Sequence, residues 1–211
     1  MKAFLRLVLL FTLLPMMSFS FAADELYKAG VNYEVLANPS PTENSDKVQV
    51  DEFFWYGCPH CYVLEPHLVA WLSKKPANVE FKRIPAALNP SWAIHAKFYY
   101  AMESMGIVDQ HHEAVFDVIQ KEHTPLMSEP EILDFMQKRG VDRAKFQEAM
   151  NSFEVDGLIR RSNQLAGQYR LNGVPNVIVA NKYRVDAAMA GGAENLFKVV
   201  DFLIAKESKK N

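Results

Sequence analysis

Apolar and polar positions alternate with different periods along this chain, and each change of period marks an element. Leu7 to Met17 is an apolar run broken only by Thr12 and Pro15; Lys2 and Arg6 lie before or at its edge, and Ser20 and Ala22 follow it. A short basic stretch, an apolar run too short to span a bilayer comfortably and two small residues make a secretory signal. Cleavage is expected after Ala22, so residues 1–22 are set apart as a signal peptide, and the mature chain is expected to be soluble. Tyr33–Leu36 then reads as a short strand, followed by a polar turn region over residues 38–46. Val48 to Tyr56, rich in β-branched and aromatic side chains, reads as a buried central strand.

That strand runs through Gly57 into Cys58-Pro59-His60-Cys61 and a helical pattern with Tyr62, Leu64, Leu68, Val69 and Leu72 on its apolar side. Pro59 suits a first helical position, where its missing N–H would have no partner. Pro66, inside the pattern, is expected to kink the helix. Val79–Ile84 is the next strand, which makes a β–α–β unit with the cysteines at the strand-to-helix corner.

From about Asn89 to Tyr169 the period is helical. Trp92, Ala96, Tyr99 and Met102 form one stripe, and His112, Val115, Phe116 and Ile119 a second. Ile132, Phe135 and Met136 follow Ser128-Glu129-Pro130, an N-cap with proline in the first turn. Phe146 to Met150, and Leu158 through Leu165 to Tyr169, complete the block. Strand character returns at Asn176–Val179 after Gly173-Val174-Pro175, and Asn181-Lys182 is expected to turn into Tyr183–Val185 as a hairpin. Glu194–Lys206 closes the chain as a helix. The order implies an α/β thioredoxin fold, β–α–β then β–β–α, formed by residues 23–87 and 163–211. Residues 88–162 are expected to be an inserted all-helical domain.

Without Lys2 and Arg6, the 23 basic and 25 acidic side chains leave a net charge of −4 with His neutral. No clustered Lys and Arg indicate nucleic-acid binding. The two cysteines matter more. Export places them where a disulfide is permitted, but they enclose only Pro59 and His60, so a bridge between them would constrain the unfolded chain very little. They are half of a tetrahedral zinc shell with no second pair, so no metal is expected. Cycling chemistry fits them better. Free backbone N–H groups at the helix N-terminus stabilise a Cys58 thiolate, and Cys61 lies one turn on, within reach to close the disulfide. His60 between them lowers the Cys58 pKa further, and a better stabilised thiolate makes the disulfide a stronger oxidant.

Glu52-Phe-Phe-Trp-Tyr-Gly-Cys-Pro-His-Cys-Tyr62 resembles the active-site segment of the DsbA family of periplasmic disulfide oxidases. Asn151-Ser-Phe153 and Gly173-Val-Pro-Asn-Val-Ile-Val-Ala-Asn-Lys-Tyr183 resemble later segments of that family, and the likeness covers essentially the whole mature chain. A strongly depressed cysteine pKa and an oxidising potential belong to that family and are not deductions from this sequence. The resemblance implies that Cys58 is the nucleophile and Cys61 its buried partner. It implies a cis proline at Val174–Pro175, in a loop that faces the dithiol and pairs with substrate. It also implies a buried acid at Glu52 and a basic partner at Arg83. The competing readings are an outward-facing Glu52 and Lys82 in place of Arg83. The Trp55-Tyr56-Gly57 approach and Pro66 depart from the best-known members.

Several expectations follow from the resemblance. The chain donates a Cys58–Cys61 disulfide to reduced exported proteins and needs no cofactor beyond that redox-active disulfide. A DsbB-like quinone-linked membrane protein reoxidises it, and it is a monomer of the periplasm. A reductase or isomerase of the same fold, and a non-catalytic exported binding protein, are the alternatives.

Overall fold

Residues 26–37, 39 and 46–208 are described by a computed structural model of the chain. The expected signal peptide, and most of the expected polar turn before the central strand, lie outside the described residues. Elements run in the order β1 (Glu34–Val35), β2 (Val48–Phe54), α1 (Pro59–Leu72), β3 (Val79–Pro85), α2 (Pro90–Ser104) and α3 (Val108–Gln120). They continue as α4 (Glu129–Lys138), α5 (Arg143–Met150), α6 (Phe153–Gln168), β4 (Asn176–Val179), β5 (Tyr183–Val185), α7 (Ala187–Ala190) and α8 (Ala193–Ser208).

The sheet has the order β1-β5-β4-β2-β3, with β2 parallel to β3 and antiparallel to β4. β2 is central and, apart from Gln49, buried throughout, which is why its sequence reads as a continuous run and does not alternate. Register places Glu52 directly opposite Arg83 and Asp51 opposite Lys82. One apolar cluster joins Val50, Val177 and Val179 of the sheet to Leu64, Leu68 and Trp71 of α1 and to Leu196, Val200 and Leu203 of α8. A smaller one sets Phe53, Ile84 and Ile178 against Ala166, Tyr169 and Leu171. A third lies inside the helical block, where Phe98, Phe116, Ile132 and Phe146 pack together with Phe54, Tyr56, Cys58 and Cys61. This is a thioredoxin fold carrying a helical insertion, and the cysteines pack into the core of the insertion.

Several local expectations change. β2 stops at Phe54, so Trp55 and Tyr56 belong to the turn that follows. Val69, expected on the apolar side of α1, is 54% exposed, while Glu65 is buried, because the inward face follows Cys61, Glu65 and Leu68 at helical spacing. The hairpin loop takes in Ala180 besides the expected Asn181 and Lys182: Lys182 N–H donates to the Val179 carbonyl, Ala180 and Asn181 take the left-handed conformation, and Val179 pairs with Tyr183. Two central residues of positive φ match a type I′ turn. α7 was not expected.

Candidate active site

Cys58 is the N-cap of α1 and Pro59 its first residue, so Cys58 Sγ sits where backbone N–H groups lack helical partners. Both cysteines are free thiols. Cys58 retains 8% of its surface and Cys61 none. The Cys61 thiol hydrogen-bonds the Cys58 sulfur, and backbone N–H groups of Cys61 and His60 and the His60 charge act in the same direction. Together they outweigh burial and hold Cys58 at about 6, against an ordinary 9.0. Burial and the adjacent Cys58 push Cys61 far upward. One thiol thus ionises at neutral pH while the other stays protonated, an asymmetry that suits a nucleophile and a resolving partner.

Pro59 and His60 are exposed beside this pair. The Val174–Pro175 peptide is cis, and the Cys58 thiol donates to the Val174 carbonyl at 3.5 Å. Two segments 116 residues apart therefore meet at one sulfur. A groove of about 570 Å³ opens alongside, lined by His60, Val63, Val174, Pro175, Arg184 and Asp186 among others. Gly57 is required by the approach of Trp55, because a Cβ there would lie 2.3 Å from the indole ring.

Glu52 is 1% exposed. Its carboxylate lies 3.6 Å from Arg83 Nε, whereas Lys82 pairs with Glu80 at the surface. Burial raises Glu52 to about 8, which Arg83 opposes and Glu65 reinforces. Glu52 is therefore mostly a neutral acid at pH 7, and only when it ionises does its charge add to the upward push on Cys61.

The site holds residues that the sequence reading did not assign. Arg83 Nη2 donates to Glu65 Oε1 at 2.5 Å, Glu65 Oε2 lies 3.6 Å from His112 Nε2, and His112 Nδ1 is 2.7 Å from the Tyr56 hydroxyl. Burial tends to raise Glu65, but His112 and Arg83 outweigh it and hold the carboxylate below its ordinary value. Burial lowers His112 and keeps it neutral. With the proton on Nε2, facing Glu65, Nδ1 accepts from Tyr56. Glu65 carried one sequence signal, its position four residues after Cys61 and three before Leu68 on one helical face. His112 lay in an apolar stripe with nothing to tell it from a core histidine. Among the described residues no three His, Cys, Asp or Glu side chains converge as metal ligands.

The sequence model of the family described as DSBA-like thioredoxin domain matches residues 88–203. A curated relative named thiol:disulfide interchange protein DsbA, from Pseudomonas aeruginosa, is 42% identical over 205 residues, covering 96% of this chain and 97% of its own length. One of that name from Burkholderia cepacia is 38% identical, covering 86% of each. The crystal structure of Pseudomonas aeruginosa DsbA superposes with a TM-score of 0.83 at 43% identity, over 87% of this chain and 96% of that one. The oxidoreductase DsbA from Xylella fastidiosa superposes with a TM-score of 0.81 at 26% identity, over 87% and 99%.

Proposed function

The chain belongs to the family of DSBA-like thioredoxin domains, and from that premise we propose that it is a periplasmic thiol:disulfide oxidoreductase that forms disulfides in other exported proteins. The observation that carries the reading is the Cys58 sulfur. It lies at a helix N-terminus, has a pKa near 6, and faces the Val174 carbonyl beside a cis proline. A thiolate stabilised in the reduced protein favours that form and makes the disulfide an oxidant.

In the proposed cycle the Cys58–Cys61 bond is intact at the start. A substrate thiolate attacks Cys58 Sγ, a substrate–Cys58 disulfide forms, and Cys61 departs with the electron pair of the broken bond. Glu52, protonated at neutral pH, is the acid beneath Cys61 from which the departing sulfur takes its proton, and Arg83 limits how far the Glu52 pKa rises. A second substrate thiolate then attacks the substrate sulfur and releases Cys58 as thiolate. The substrate has lost two electrons and the chain has gained them. A DsbB-like quinone-linked membrane protein removes them again. The Val174 backbone and the groove beside His60 receive an extended substrate segment through main-chain contacts, which tolerate many sequences. The chain reaches the periplasm by way of residues 1–22 and works as a monomer.

Mixing the oxidised chain with a reduced, unfolded multi-thiol protein tests the reading. Cys58→Ser is expected to abolish oxidation, and Cys61→Ala to accumulate a mixed disulfide through Cys58. Equilibration with glutathione separates the alternatives, since a reductase keeps its disulfide at glutathione ratios that empty an oxidase. Oxidation that persists in Cys58→Ser would overturn the reading.

A further inference from the structure

The turn that delivers Cys58 to the head of α1 is held from the helical insertion. Cys58 N–H donates to the Trp55 carbonyl at 3.0 Å, so Trp55-Tyr56-Gly57-Cys58 is one tight turn with Tyr56 and Gly57 at its tip. Tyr56 is fully buried, and α3 grips it at both ends. Its hydroxyl meets His112 Nδ1 at 2.7 Å, and its backbone carbonyl accepts from Gln120 Nε2 at 2.7 Å. Between them the Phe116 ring packs edge-on against the Tyr56 ring, with centroids 4.8 Å apart. His112, Phe116 and Gln120 are four residues apart in succession, so they form one stripe along α3. The stripe is itself anchored, because Glu65 lies 3.6 Å from His112 and is bonded to Arg83 of β3. Asp117 of α3 also accepts from the Tyr62 hydroxyl of α1 at 2.8 Å.

We propose that His112 and Gln120 are positioning residues for disulfide exchange, holding Tyr56 at its hydroxyl and its carbonyl so that the turn places the Cys58 sulfur over the first turn of α1. Neither touches the reacting sulfurs. Their effect is geometric. The stabilisation of a thiolate by backbone N–H groups falls away within the first helical turn, so a turn free to shift carries the sulfur off its donors. The half-buried Gln120 holds a carbonyl at the turn's tip, and the buried His112 holds the far end of the same side chain. The insertion thereby sets the chemistry of a sulfur whose strand and helix belong to the thioredoxin fold.

The proposal deepens the oxidase reading and rests on it for its meaning, but its test does not need that reading. The rate of Cys58 alkylation by iodoacetamide, followed across pH on the reduced full chain, reports the thiolate directly. Gln120→Met keeps the length and removes the donor. It is expected to raise the apparent Cys58 pKa by roughly half a unit, about a threefold loss of thiolate at a pH below both values. The glutathione equilibrium should move by a similar factor toward the disulfide form. Gln120→Lys, which keeps a donor at similar reach, is expected to recover most of the shift. Tyr56→Phe, which removes the hydroxyl, should shift the titration in the same direction. Denaturant midpoints taken alongside separate positioning from stability. A Gln120→Met protein that titrates like the parent overturns the proposal, as does one in which only the midpoint falls. A parent that titrates near 6 yet fails to oxidise a reduced substrate overturns the oxidase reading instead.

Discussion

At its N-terminal end α1 presents Cys58, Cys61 and Glu65 to Tyr56, His112 and Arg83, whereas farther along Leu68 and Trp71 pack against Leu196, Phe197 and Val200. The two ends belong to one helix of 14 residues and are buried to a similar depth. The rear is held by apolar area and by one polar contact at its edge, Trp71 Nε1 donating to Asp201 at 2.7 Å, with the indole stacked on Phe197 at 5.3 Å. The front buries ionisable groups, whose removal from water opposes folding unless each finds a partner. Arg83 partners both Glu52 and Glu65, yet Glu52 still escapes by holding its proton. The stabilising end and the reactive end of the helix are therefore different ends.

The largest expected change in stability comes from the rear. Leu68 has no exposed surface, and Leu68→Ala is expected to cost about 2–5 kcal/mol in denaturant unfolding, through lost transfer energy and a cavity. It should leave the Cys58 titration where it is. A matching shift of the Cys58 pKa would mean that the two ends are not independent.

The front should reveal itself through pH. Cys58 is lowered from 9.0 to about 6 in the folded dithiol form, so its stabilisation is fully present above pH 9 and is lost as pH falls through 6. The oxidised form has no such group. Denaturant midpoints of the two forms should show the dithiol form the more stable, with a gap that widens from pH 6 to pH 9. A gap independent of pH would refute the link.

Glu52 acts with the opposite sign. Its folded pKa, about 8, lies above the ordinary 4.5, so its contribution is intact below pH 4.5 and is lost as pH rises through 8. Glu52→Gln removes the titration and leaves Arg83 its bond to Glu65. Relative to the variant, the parent is expected to lose stability steadily between pH 4.5 and 8. Parallel curves would show that Glu52 is charged throughout.

Trp71→Phe should have the smallest effect. It removes one hydrogen bond to Asp201, a net contribution of about 1 kcal/mol, together with some stacking. The midpoint should fall slightly and the glutathione equilibrium should not move.

Much of this arrangement could be read along the chain, and the reasons are local. The apolar run of β2, the proline after Cys58 and the three-residue spacing of the cysteines each depend on near neighbours, so the strand-to-helix corner and its dithiol follow from the residues themselves. The loop took in Ala180 as well as Asn181 and Lys182, because the register pairs Val179 with Tyr183 and leaves three residues between them, a choice made by the strand pairing and not by the loop residues. Val69 and Glu65 exchanged places for a similar reason. α1 is apolar on so much of its circumference that composition does not mark the buried face.

The amino-acid sequence alone determined the order of elements apart from α7, the position of the redox pair and the absence of any charge pattern suited to nucleic acid, because periodicity, capping and spacing act over a few residues. Only the tertiary structure decided that Arg83 and not Lys82 meets Glu52, since that choice rests on the parallel register of β2 and β3. It set Val174 against Cys58 across 116 residues, where the resemblance had implied a facing loop, and it alone joined His112 and Gln120 to Tyr56 across 56 and 64. A buried polar group must find a partner wherever the fold brings one, and the distance along the chain places no limit on where that partner lies.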